Sequence, residues 1–167
     1  LKHLKDFSIN GNEVAFGTIG NAATSEGHFF EAINAMCVLQ IPVVMSVWDD
    51  AYGISVPQHY HTAKESISTV LEGFRREKDL AGMEIFTVEG WDYPNLVKTY
   101  RKAAKVAREE HVPSLVHVID MTQPLGHSTS GSHERYKSKE RLDWEKEFDC
   151  NLKMREWILE TGLCTEA

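Results

Sequence analysis

The stretch "GTIGNAATSEGHFFEAINAM", residues 17–36, leads from an apolar run through a cluster of small residues into an amphipathic pattern, and its reading decides the fold. Upstream, "EVAFGTI" (13–19) reads as a buried strand. Downstream, "FFEAINAMCVL" (29–39) puts Phe29, Ile33, Met36 and Cys37 on one helical face, and "PVVMSVW" (42–48) reads as the next strand. That is one strand-helix-strand unit. After turn signals near "GISVPQ", the pattern recurs: "SISTVLEGFRRE" (66–77) reads as a short helix and "MEIFTVEG" (83–90) as a strand. "YPNLVKTYRKAAKVAREEH" (93–111) reads as a helix with Leu96, Val97, Tyr100, Ala104 and Ala107 on one stripe, and "PSLVHVIDM" (113–121) as a strand. Parallel strands need crossover connections, and helices supply them here. The expectation is therefore an α/β fold, a doubly wound, mostly parallel sheet with helices on both faces.

Composition bounds the function. At 167 residues, 42% hydrophobic and 26% charged, the chain has the size and balance of one soluble domain. No apolar run approaches the about 18 residues of a membrane span. The opening "LKHLKDFSINGNEV" lacks the apolar centre and cleavage site of a secretory signal. Cys37, Cys150 and Cys164 are odd in number and far apart, which suits reduced thiols in a cytoplasmic protein better than a disulfide framework or a zinc site. A net charge of −7 opposes binding to a phosphate backbone, so no nucleic-acid partner is expected.

Ligands of open α/β sheets bind at the carboxyl ends of the strands. Three stretches fall there: residues 20–27, residues 49–53, and a polar loop, "TQPLGHSTSGSHERYKSK" (122–139), that contains His127. They should converge. Gly20 permits a tight turn, Asn21 offers a neutral oxygen, and Ala22 and Ala23 leave backbone N–H groups open to an anion. Taken alone, the turn is more simply a chain reversal with Thr24 or Ser25 capping a helix. Neither GxxxxGK[ST] nor GxGxxG occurs at this turn. In "VVMSVWDDAYGIS" (43–55), Asp50 at the exit of the next strand can meet the Asn21 amide oxygen, and the Tyr52 carbonyl can add a third oxygen. Such hard oxygen donors, with phosphates and waters, suit Mg2+. Other features read more plainly: Trp48 as packing in the sheet's upper layer in preference to a cover over a bound ligand, "HYH" (59–61) as surface loop, and "KTYRKAAKVAR" as the solvated face of a helix.

With these residues in view, the chain resembles the alpha-type subunit of the thiamine diphosphate-dependent 2-oxo acid dehydrogenases. The family signature is Gly-Asp-Gly followed, at the end of the next strand, by Asn. The matching stretches are Gly20-Asn21-Ala22, "EGHFFEAINA", "DDAYGIS" and "LGHSTSGSHERYK" (125–137), the last similar to the family's active-site loop with Gly-His-Ser and a later Tyr before a basic residue. Branched-chain (2-oxoisovalerate) dehydrogenases, including fused alpha-beta chains, are the most similar members. Two departures stand out. The family's Asp and Asn are exchanged here as Asn21 and Asp50, which keeps one carboxylate in the shell and reads as compensation. Ala22 replaces the second Gly. In the loop, Gly131 and Ser132 stand where many relatives carry acidic residues, and Ser128 where some are phosphorylated.

The resemblance implies a thiamine diphosphate-binding fold in which Asn21, Asp50 and Tyr52 hold Mg2+. Gly20, Asn21, Ala22, Ala23, Glu26, Asp50, Tyr52, Ile54 and His127 would contact the cofactor, and His127 would be catalytic. It implies oxidative decarboxylation of a 2-oxo acid with acyl transfer to a lipoyl group, with a pyrimidine-binding (beta-type) domain or subunit and a lipoyl-bearing transacylase as partners. Residues 1–121 would form the core of the cofactor-binding domain, 122–139 the active-site loop and 140–167 a C-terminal helical segment, all part of a longer chain and inactive in isolation. The polar stretch 126–135 is expected to be mobile without cofactor and partner. Pyruvate or acetoin dehydrogenase activity, and a cofactor-free α/β interaction module, are the alternatives.

Overall fold

The computed structural model describes residues 11–127 and 132–165. Its centre is a sheet of four parallel strands, β1 (Ala15–Gly20), β2 (Val43–Trp48), β5 (Glu84–Glu89) and β6 (Ser114–Ile119), in the order β1-β2-β6-β5. A two-stranded ribbon, β3 (Tyr52–Gly53) with β4 (Val56–Pro57), projects beyond the end of β2.

Each face of the sheet has its own helix. α1 (Gly27–Leu39) lays Phe29, Ile33, Met36 and Cys37 against Val43, Val47, Ile85 and Leu115. α2 (Ile67–Val70) adds Ile67 to the same layer. On the opposite face, α3 (Tyr93–Glu110) packs Ala103 and Ala107 against Val44, Val88, Val116 and Val118. Leu96, Tyr100 and Ala104 lie on the expected stripe, but Ala103 sits deeper than the pattern suggested: small residues let the helix approach the strands closely. The crossovers after β1 and after β5 thus lie on opposite faces, leaving a crevice at the carboxyl ends of β2 and β6.

Two expectations need correction. β1, read as a buried strand, lies at the edge of the described sheet with none of its residues buried and Phe16 60% exposed. The helix expected over 66–77 is one α-turn, capped by the Ser66 side chain, then a 3-10 turn at Glu72–Phe74. The chain then runs extended because Met83 N–H donates to the Phe74 carbonyl (2.8 Å) and Arg76 N–H to the Met83 carbonyl (3.0 Å), a backbone pairing that outcompetes helical bonds. The C-terminal segment is helical as read, divided into α4 (Lys139–Glu147) and α5 (Cys150–Glu160). The break falls where the Asp149 carboxylate accepts from Asn151 N–H (2.8 Å) and Leu152 N–H (3.0 Å) and so starts a new helix. These helices dock through aromatic pairs, Trp91 with Phe148 and Tyr93 with Trp157. Among the described residues no helix is long and apolar enough to cross a membrane.

Candidate functional site

Parallel register brings three strand ends together: Gly20 pairs with Trp48, and Trp48 with Val118. Backbone bonds extend the alignment one step further, from Asn21 N–H to the Trp48 carbonyl (3.0 Å), Asp49 N–H to the Val118 carbonyl (2.8 Å) and Met121 N–H to the Asp49 carbonyl (3.0 Å). Residues just past the strands therefore share a cavity of about 430 Å3. Gly20, Asn21, Ala22 and Ala23 line one side; Asp50, Tyr52 and Ile54 line another; Met121, Gln123 and His127 complete it. Glu26 is not on this wall. It is exposed and serves as the extended N-cap of α1. Trp48, expected in the packed layer, is 49% exposed and lines the cavity, its indole N–H held by the Ser46 hydroxyl (2.9 Å).

The turn after β1 does not enter α1 directly. Ala22–Ser25 forms a 3-10 turn, tightened by Thr24 Oγ1–H donating to the Asn21 carbonyl (2.5 Å). Asn21 is only 4% exposed, and its buried Nδ2 has no partner among the described residues. A buried amide N–H without an acceptor is costly. A phosphate oxygen would satisfy it, and a half-turn of the amide presents Oδ1 to a cation.

Ala22 also packs against the ribbon. A Cβ added at Gly53 would lie 2.7 Å from the Ala22 Cβ, so only one of these two loops can carry a methyl there. Gly53→Ala should destabilise the protein by about 1–3 kcal/mol through overpacking. The double change with Ala22→Gly, which moves the methyl from one loop to the other, should recover most of the loss in a denaturant titration; no recovery would show that the two loops do not share this space.

The adjacent acids Asp49 and Asp50 have opposite surroundings. Asp49 is buried and fully engaged: Oδ2 meets His117 Nε2 (2.8 Å) and Gln58 Nε2 (2.6 Å), and Oδ1 accepts from Ala51 N–H (2.8 Å). Burial pushes its pKa up, but the hydrogen bonds from His117, Ala51 and Gln58 and the pairing with His117 outweigh it, leaving the carboxyl below its ordinary range. Asp49 is a structural anchor for the loop. Asp50 accepts only from Tyr52 N–H (3.1 Å) among the described hydrogen bonds to its carboxylate. Burial is the main influence on it and holds its pKa above the ordinary value, against smaller opposing effects from the Tyr52 N–H and Lys137. An under-solvated carboxylate lining the same cavity as a buried amide is a donor set suited to a hard divalent cation. Among the described residues no group of three His, Cys, Asp or Glu could hold a metal ion.

The backbone following Asp50 is unusual. Ala51 (φ 67°) and Ile54 (φ 59°) both adopt left-handed conformations, which a β-branched residue rarely does, and Ile54 is 59% exposed on the cavity. Strain of this kind concentrates at ligand-binding loops. On the facing loop, Gly126 takes φ 76°, and a Cβ there would meet His133 Nδ1 at 2.6 Å, so glycine is required where the chain turns to present His127. Of the loop features read from the sequence, Ser128 and Gly131 lie outside the described residues; His133–Arg135 form a 3-10 turn.

Sequence reading missed a buried charged cluster behind Asp50. Lys137 Nζ donates to both oxygens of Glu145 (2.7 and 3.0 Å), Arg141 Nε donates to Glu145 Oε1 (2.9 Å), and Arg141 Nη2 donates to the Asp50 carbonyl (2.9 Å). Lys137 also lies over the Tyr52 ring, 5.0 Å from its centroid. The four-residue spacing of Arg141 and Glu145 was a visible signal for their pairing, but nothing local pointed to Asp50.

Comparison with known proteins shows the family. The chain is 30% identical over 159 residues to the 3-methyl-2-oxobutanoate dehydrogenase subunit alpha of Mycobacterium tuberculosis, covering 95% of the chain and 41% of that protein. It is 29% identical over 152 residues to the 2-oxoisovalerate dehydrogenase subunit alpha of Bacillus subtilis (91% and 44%), and 28% identical over 158 residues to the pyruvate dehydrogenase E1 component subunit alpha of Rickettsia bellii (93% and 45%). The chain thus spans less than half the length of these curated relatives. The family described as "Dehydrogenase E1 component" matches residues 8–167, nearly the whole sequence, and the chain belongs to that family.

Proposed function

We propose that this chain forms the Mg2+-thiamine diphosphate anchor of a 2-oxo acid dehydrogenase E1 component acting on branched-chain 2-oxo acids such as 2-oxoisovalerate. The observation that carries this reading is that one cavity is lined both by Asp50, whose carboxylate has no cationic hydrogen-bond partner among the described residues, and by Asn21, a buried amide whose NH2 is unpaired among them. Asn21 Oδ1, the Asp50 carboxylate and the Tyr52 carbonyl hold the metal. Gly20, Ala22 and Ala23 face the diphosphate, Ile54 and Trp48 give the cavity apolar flanks, and His127 donates or accepts a hydrogen bond at the reacting carbonyl. The bound cofactor supplies the nucleophilic carbon and the electron sink for loss of carbon dioxide. A pyrimidine-binding domain or subunit completes the site, and a lipoyl-bearing transacylase accepts the acyl unit.

Pyruvate is the second substrate to consider, because a pyruvate-type relative is nearly as similar as the branched-chain ones. The test uses the longer parent protein with its partner. Thiamine diphosphate binding, followed by quenching of tryptophan fluorescence, should require Mg2+, and decarboxylation should then be faster with 2-oxoisovalerate than with pyruvate. Binding that ignores Mg2+ would refute the anchor; preference for pyruvate would reassign the substrate alone.

A further inference from the structure

The cavity wall shows what could hold a metal, but not what keeps Asp50 facing it. The residue on its far side is Arg141 of α4, distant in sequence and joined to Asp50 through the backbone carbonyl. Its guanidinium has little freedom. Nε is fixed by Glu145, whose side chain is wholly buried and further held by Lys137, while the plane rests over the Trp144 ring (4.6 Å to the centroid) and near the Tyr52 ring (5.8 Å). A planar fork held at one end and stacked on its faces presents its remaining donor in a fixed direction. That donor, Nη2, ends on the Asp50 carbonyl.

Two features make this contact more than general packing. The next residue, Ala51, is in the left-handed region, so the Asp50–Ala51 peptide sits in a conformation that alanine does not favour and that something must maintain. Arg141 also meets the carbonyl rather than the carboxylate, and its charge is matched by Glu145. The arrangement fixes the peptide while leaving the Asp50 carboxylate free for a cation.

We infer that Arg141 is a positioning residue for the metal-binding loop, holding the Asp50 peptide so that the Asp50 carboxylate and the Tyr52 carbonyl can reach one Mg2+. This rests on the anchor reading above. Residues that orient metal ligands without touching the metal commonly change affinity by about 10–100-fold when replaced.

The test is Arg141→Met in the parent protein with its partner. Methionine keeps an apolar stem against Trp144 and Tyr52 but removes every donor, and Lys137 remains to neutralise Glu145. Mg2+-thiamine diphosphate affinity should fall by about 10–100-fold, with the melting temperature of the cofactor-free protein nearly unchanged. In that cofactor-free protein, hydrogen exchange should speed up at residues 51–54 and not in β6. If the parent binds the cofactor and R141M binds it equally well, the inference is wrong and the anchor stands. A fall in affinity that only follows a large drop in melting temperature, with faster exchange throughout, assigns Arg141 to general stability and also overturns it. A parent that binds no Mg2+-thiamine diphosphate overturns the anchor and this inference with it.

Discussion

Replacing Asp50 with Asn will weaken Mg2+-thiamine diphosphate binding by at least about 100-fold, or about 2.7 kcal/mol, and will raise the stability of the cofactor-free protein. Both effects have one cause. The Asp50 carboxylate is partly desolvated and its pKa is raised chiefly by burial. A raised acid pKa means that the folded state takes up a proton more readily than the unfolded state, so the ionised group is a burden at neutral pH that eases as pH falls. Asn removes the burden and still accepts from Tyr52 N–H. The same change leaves two neutral amides facing the metal and diphosphate. Restoring the carboxylate on the other loop, in Asn21→Asp with Asp50→Asn, should recover much of the lost affinity. Recovery beyond the sum of the single changes would show direct coupling, which neighbouring sites display at about 0.5–3 kcal/mol. Cofactor titration with excess Mg2+, beside thermal melts of the cofactor-free variants, reads both effects. Undiminished binding by D50N would reduce Asp50 to a turn residue.

Legibility of this chain in its sequence followed the range of the interactions concerned. The strands β1, β2, β5 and β6 and the helices α1 and α3 were legible because each is written in local hydrophobic period, and α1 buries the four residues read from its pattern. The burial of β1 was misread, because an apolar run does not show that its strand lies at the sheet edge. Convergence of residues 20–23, 50–54 and 127 followed from the same reading, since parallel strands with short exits must deliver them to one end of the sheet. For Trp48 the less favoured of two readings holds, because hydrophobicity alone cannot distinguish a core side chain from a cavity wall. The division of labour between Asp49 and Asp50 was also hidden. It depends on His117, a residue inside β6 whose imidazole reaches across to Asp49, and no spacing rule links those positions. The stretch after Ser66 failed for a related reason: helical propensity there loses to backbone pairing with Met83.

The cluster of Lys137, Arg141 and Glu145 carries the largest expected stability effect, and its asymmetry makes the prediction sharp. Glu145 is wholly buried and accepts from two cations, so losing one leaves it partnered by the other. Lys137 is only 6% exposed, and both hydrogen bonds of its Nζ go to Glu145. Glu145→Met therefore strands a buried ammonium with only the face of Tyr52 and the nearby Asp50 carboxylate to offset it, and a stranded buried charge costs about 3–5 kcal/mol. Lys137→Met should cost clearly less, because Arg141 still neutralises Glu145. The double change to Met at both positions removes the buried pair, whose apolar replacement is often close to neutral, and leaves only the partly exposed Arg141 without its carboxylate, so it should be more stable than E145M. Expected stability thus falls from the parent, through K137M and the double variant, to E145M. Urea denaturation of the four proteins orders them. E145M no less stable than K137M would mean that Lys137 finds another partner and that the dependence on Glu145 has been misjudged.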